Sequence, residues 1–516
     1  MASMLKLVTL WLVLSSLGLW FSNETSYAHA IGQRYDLPIP LSFFLFGGAV
    51  TVALSFLVIS AFVKPQQRRH IYPRHNVLTY NFISIPYVMP AILNIVKLAS
   101  VGAFLLIIIS GLTGTSRPTE NISPTFIWII WWVGMGYVSA LIGNVWFFIN
   151  PWRILYEWVE VFFDNGFDHR SSGIVQYPKQ MGIWPAVCFL LIFSWLENVY
   201  VGSVIPFQLA ILIVLYSAIT WIGMFLFGKH KWLRSGEVFT VLFTMFSKFS
   251  FTEVRVTDNQ TCSLCGFDCN PSGSLCVDCY ECYDNAKDHQ REINVRPCAA
   301  GLFIRHRIDL SIVAFVLIAL ANVTFDGLQE TSVWSSFQNT VHRIFVGSGT
   351  GFSDIVDTIS VILVPLVFTL VYLGFSCSIK LLSREKMLVL DVAKTFVFSL
   401  IPIALAYNMA HFMSLLVVQG QLIIPLASDP LGVGWDLLGS ADYLINVDVM
   451  NVQFIWFMSV GAIVTGHVVS VYVAHVIAVQ TFLKHSTALR SQYPMMVLMI
   501  CYTAISLWII AQPIVK

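Results

Sequence analysis

Runs of about twenty apolar residues, separated by short polar connections, recur from one end of this sequence to the other. A run of that length matches the hydrocarbon thickness of a bilayer, where a backbone satisfies its own polar groups only by coiling into a helix or closing into a barrel. Ten spans are expected, at 41–63, 95–112, 126–149, 182–200, 204–228, 310–325, 355–377, 392–417, 453–476 and 494–515. The apolar stretch 238–251 is too short for a crossing and reads as a re-entrant or interface-lying helix. The fold class is therefore all-α, a polytopic bundle whose first partner is the lipid bilayer. Composition agrees, since 57% of the 516 residues are hydrophobic and only 11% charged, less than half the usage of soluble domains. A formal net charge of +1 excludes a strongly basic nucleic-acid binder.

Lys6 precedes a short apolar stretch, and small residues follow at Ala28 and Ala30. This pattern predicts a signal peptide over 1–28, with cleavage after Ala30 as a second register and an uncleaved anchor as the alternative. Basic residues then set direction. Lys64, Arg68, Arg69 and Arg74, then Lys229, Lys231 and Arg234, then Lys380, Arg384 and Lys386, and finally Lys484 and Arg490 all fall on alternate connections. The positive-inside rule puts those connections in the cytoplasm, with both mature termini outside; the expected location is the inner membrane of a prokaryotic cell. The expected organisation is a membrane half at 29–250, a cytoplasmic Cys-rich loop at 251–300 and a second membrane half at 301–516.

Seven of the ten cysteines fall in one place: Cys262, Cys265, Cys269, Cys276, Cys279, Cys282 and Cys298. Cys262-Ser-Leu-Cys265 and Cys276-Val-Asp-Cys279 have the knuckle spacing that brings two thiolates to one tetrahedral ion, so these four are the expected metal ligands. In a reducing compartment clustered thiols point to metal rather than disulfides. Structural zinc is the first expectation, an iron–sulfur cluster the competitor, and redox-active or unliganded thiols the remaining alternative.

Ionisable groups inside spans are costly and are functional candidates by default. Glu197 lies near the outer end of its span. Asn408 and His411 share one helical face, His467 falls near mid-membrane and His475 nearer the inner side. His467 and His475 stand roughly 12 Å apart along a helix, too far to share an ion. Glu197, Asn408, His411 and His467 are the expected site, opening outward, while Asp326 and His342 could reach the same cavity. If cleavage follows Ala28, His29 becomes the N-terminal residue and offers an amine and an imidazole to copper or zinc. The segment Val346-Gly-Ser-Gly-Thr-Gly351 lacks dinucleotide-fingerprint spacing, and Walker, His-Glu-x-x-His and Gly-x-Ser-x-Gly motifs are absent from the sequence.

Several longer strings are distinctive: 28–41, Asn144-Val-Trp146 with Asn150-Pro-Trp-Arg153, 324–328, 407–411, 428–436 and 466–475. They resemble bacterial membrane proteins catalogued as fenitrothion hydrolase. The resemblance implies hydrolysis of an organophosphorus ester; the Cys-rich stretch departs from the family's pattern. Two functions are thus expected. In one, a His/Glu/Asn site hydrolyses an ester or phosphoester of a small-molecule substrate. In the other, the chain is a proton- or metal-coupled transporter, or a subunit of a membrane complex.

Overall fold

The computed structural model describes residues 35–62, 72–79, 88–163, 173–263, 265, 276–303, 308–344 and 352–514. The expected signal peptide with His29, Cys269, and the segment 346–351 lie outside them. Among the described residues, ten helices are long and apolar enough to cross a membrane. They are α1 (Leu41–Phe62), α2 (Ala91–Thr113), α3 (Ile122–Leu141), α5 (Lys179–Asn198), α6 (Pro206–Phe227), α8 (Leu310–Gln329), α10 (Ser353–Ser383), α11 (Val389–Ser428), α12 (Val452–Thr481) and α13 (His485–Ile514). Between them come α4 (Pro151–Phe163), α7 (Val238–Ser247) and α9 (Ser332–Ile344). The chain has the architecture of a multi-pass membrane protein.

One apolar core runs through both membrane halves. The first helix belongs to the second half, because α1 packs against α12 and α13. Helix α8 packs against α5, α10 and α11, and buries residues from Ser311 to Gly327. Helix α7 buries eight of its ten residues, so it is enclosed by protein rather than lying along an interface. Its open amide end is satisfied by the buried Glu237 carboxylate, which accepts from Phe239 N at 2.9 Å and Thr240 N at 2.7 Å.

Two spans are internally irregular. Helix α3 changes to a π-helical segment, Phe126–Val133, before resuming as an α-helix at Gly134–Leu141. The apolar run expected to continue to 149 is broken at Gly143, which has φ of 152°. A Cβ there would lie 2.0 Å from Thr252 Oγ1, so only glycine fits. Helix α11 is interrupted by tight turns at Val397–Leu400 and Gln419–Leu422. A break at membrane depth leaves backbone carbonyls to satisfy, and the Ser470 hydroxyl donates to the Ser399 carbonyl.

A small cap covers one end of the bundle. Its sheet contains β1 (His75–Asn76), β2 (Thr252–Val256), β3 (Cys276–Val277) and β4 (Arg291–Val295), in the order β1-β4-β2-β3 with every pairing antiparallel. The cap is thus more than the 251–300 loop, since β1 reaches it from the connection after α1. Phe147, from the turn after α3, joins the cap's core with Val254, Val256 and four cysteines, and its ring centroid is 4.4 Å from that of Tyr280. Burying such a ring contributes about 2–3 kcal/mol.

Candidate functional site

The intramembrane site forms where α3, α5, α8 and α11 meet. Glu197, in the last turn of α5, accepts from the Trp132 indole at 2.7 Å and from Asn322 Nδ2 at 2.8 Å. The Asn322 carbonyl oxygen accepts from Asn198 Nδ2 at 2.9 Å. Asp326 follows Asn322 by four residues on α8, so the two share a face, and Asp326 Oδ2 lies 2.9 Å from His411 Nε2 of α11. Glu197, Asn322, Asp326, Asn408 and His411 are all partly accessible, whereas most of their apolar neighbours on α8 and α11 are buried.

Glu197, Asn322 and Asn408 line a cavity of about 20 Å³ with Trp132 and Phe246 among its walls. That volume holds one water molecule or a small ion, and the three polar walls supply partners for it. No cation stands within ion-pair distance of Glu197 among the described residues. Its ligands are neutral N–H groups, which can stabilise a carboxylate without fixing its charge state.

Of the four expected site residues, Glu197 and Asn408 share this cavity, and His411 joins them through Asp326 on the Asn322 face. His467 does not. It is buried on α12, where its Nδ1–H donates to the Ile463 carbonyl at 2.8 Å and its ring centroid lies 5.8 Å from that of Tyr502. Its Nε2 has no partner among the described residues. His475 pairs with Gln492 Oε1 at 2.9 Å and ties α12 to α13. His342 is exposed on α9. Sequence reasoning missed Asn322 and Trp132; the four-residue spacing of Asn322 and Asp326 within an apolar span was the signal for the first.

The second candidate is a metal centre in the cap. Cys262, Cys276 and Cys282 have their sulfurs within 4.8 Å of one another, and so do Cys265, Cys279 and Cys282. The four expected ligands are therefore divided between two triads, and Cys282, which the knuckle spacing left out, belongs to both. Cys298 stands apart, its thiol donating to the Phe249 carbonyl at 3.2 Å.

The second knuckle is held from below. Asp278 adopts a left-handed backbone, φ 54°, which an aspartate tolerates better than most residues. Its carboxylate accepts from Arg296 Nη1 at 2.8 Å. The same buried guanidinium reaches Glu253 at 3.2 Å and donates to the Ser247 carbonyl at 2.9 Å, at the end of α7. Burial opposes its charge, but Asp278 and Glu253 outweigh burial and raise its pKa. A second joint pairs Arg153 of α4 with both oxygens of Asp284, at 2.8 and 3.0 Å. Asn144 and Asn150 bond to Thr244 and Thr240 of α7 at 2.9 and 3.2 Å, so the Asn144–Arg153 string links bundle and cap.

Compared with known proteins, the chain matches no family model, no curated protein and no solved structure.

Proposed function

We propose that this protein moves protons or a small cation across the bilayer, with Glu197 as the binding station and the Asp326–His411 pair as its neighbour. The observation that carries the reading is the Glu197 cavity, where a carboxylate from a membrane span has only neutral donors and room for a water-sized guest. A carboxylate in a low-dielectric site needs a counter-charge. Among the described residues none stands within ion-pair distance, which leaves a place for a mobile proton or cation. Broken or widened helices at α3 and α11 border the site, a common arrangement around ion pathways.

The sidedness follows from charge. Lys229, Lys231, Arg234, Lys380, Arg384, Lys386, Lys484 and Arg490 all lie at the cap end of the bundle, which supports a cytoplasmic cap, an outward-facing Glu197 end and an extracytoplasmic N-terminus in a bacterial inner membrane. The cap's thiolates are read as a structural zinc site.

Hydrolysis of an organophosphorus ester is the second reading, carried by the resemblance. It needs a substrate pocket beside an acid or base. The larger cavity, about 430 Å³, lies beyond Phe193 and Trp131, and among the described residues its lining includes no carboxylate, histidine or cysteine. The geometry therefore favours transport. The test is proton or cation flux in proteoliposomes. Wild-type flux that falls at least about tenfold in Glu197→Gln supports the proposal. Equal flux in both, with release of nitrophenol from an aryl phosphate triester by solubilised protein, supports hydrolysis instead.

A further inference from the structure

We propose that the cap holds two divalent metal ions bridged by the Cys282 thiolate. This rests on the reading of the cap as a zinc site and goes beyond it in nuclearity and ligand set. A single ion bound by both knuckles would draw Cys262, Cys265, Cys276 and Cys279 into one tetrahedron. The thiols instead sort by rank within each knuckle. The first cysteines, Cys262 and Cys276, meet at one place, the second cysteines, Cys265 and Cys279, at another, and Cys282 is common to both.

The spacing suits zinc at each place. With Zn–S bonds of about 2.3 Å, two thiolates on one tetrahedral ion lie about 3.8 Å apart. Cys265 and Cys279 have their sulfurs 3.7 Å apart. A four-iron cluster takes a single thiolate per iron and would hold its cysteine sulfurs farther apart than this. Cys276 and Cys282 are each 1% exposed, and a thiolate sulfur has enough lone pairs to bind two metals at once.

Charge argues the same way. Five thiolates around one divalent ion, or four with a fifth thiol idle, leave at least two negative charges in an apolar core. Five thiolates around two ions leave one. Uncompensated charge is what a buried site tolerates least, so the second ion is the more economical arrangement. Three thiolates per ion leave one tetrahedral position on each, and Glu281 Oε2, 3.6 Å from Cys265 Sγ, offers a carboxylate to the second; counting that carboxylate in both cases leaves two negative charges with two ions and at least three with one.

The experiment uses the full chain, purified in detergent from zinc-supplemented cells, with zinc and iron measured per chain. Two zinc ions are expected, falling to one or none in Cys282→Ser and unchanged in Cys298→Ser. Cadmium-113 exchanged into the wild-type protein should give two resonances coupled through the shared sulfur, which decides the matter even if Cys282→Ser does not fold. One zinc that survives Cys282→Ser, or two cadmium signals without coupling, overturns the bridge and keeps the zinc reading. Absence of zinc, or iron with acid-labile sulfide in its place, overturns both.

Discussion

Glu197 in the bundle and Glu253 in the cap are both carboxylates withdrawn from bulk water, yet they are treated differently. Glu253 is fully enclosed and receives Arg74 Nε at 2.5 Å, Arg296 Nη1 at 3.2 Å and the Tyr72 hydroxyl at 2.5 Å. Glu197 receives an indole and an amide, with no cation within ion-pair distance among the described residues. The first carboxylate is paired with two fixed guanidinium groups, and its use is to hold β2, β4 and the second knuckle together. The second is held in place without being neutralised. Fixed pairing marks a joint; positioning without pairing is what the proposed exchange of a proton or cation requires.

The comparison is broken most severely by Arg296→Met. Removing the guanidinium takes the ion-pair partner from the buried Asp278 and leaves Glu253 with Arg74 alone, and loss of one partner of a buried ion pair costs about 3–5 kcal/mol. Urea unfolding followed by limited proteolysis of the cap should show a loss of this size. A loss under about 1 kcal/mol would mean that Arg296 is not the joint.

Acid should loosen the second joint. Burial pushes the His230 imidazole down to about 4, and Asp284, 3.8 Å away, offsets only part of that. An unfolded histidine titrates near 6.5, so between pH 6.5 and 4 the unfolded chain binds a proton that the folded chain refuses. This contribution to stability is complete above pH 6.5 and lost as pH falls through 4, by roughly 3 kcal/mol in total. His230→Asn should flatten the stability profile in that window.

Asp326→Asn sharpens the comparison on the bundle side. It exchanges a charge-assisted bond to His411 for a neutral one and should lower thermal stability by about 1 kcal/mol. Glu197→Gln should do least to the fold, under about 1 kcal/mol, because a carboxamide keeps the shape and an acceptor for Trp132. Its effect belongs in the flux assay. Destabilisation as large as that of Arg296→Met would make Glu197 a joint too, and the contrast would fail.

The ten long helices were legible because length and hydropathy are local properties, and each coincides with most of one expected apolar run; the shorter α4 and α9 were not expected. The break at Gly143 was not, since a hydropathy run carries no information about a positive φ or about Thr252 approaching from the cap. The pairing of His411 with Asp326 was half visible, both residues being candidates without an assigned contact. Asn322 passed unnoticed because a neutral amide does not register as a charge in a span. In the cap, spacing identified the knuckles but not Cys282, because which cysteine meets which is decided by how β2, β3 and the following helix fold over one another. His467 looked equivalent to His411 in sequence, but α12 turns it toward Ile463 and Tyr502.

The π-helical segment 126–133 gives α3 a phase shift. Residues 122–125 and 134–141 each keep α-helical register, but the side chains on either side of the wide turns are out of step with a continuous helix. Handing one backbone hydrogen bond from residue to residue would slide the wide turns along the span and rotate a single side chain at each step, while both flanks stay docked. Trp132, next to last in the segment, lies at its trailing edge. The wide turns thus set the rotational phase at which its indole meets Glu197, 2.7 Å away.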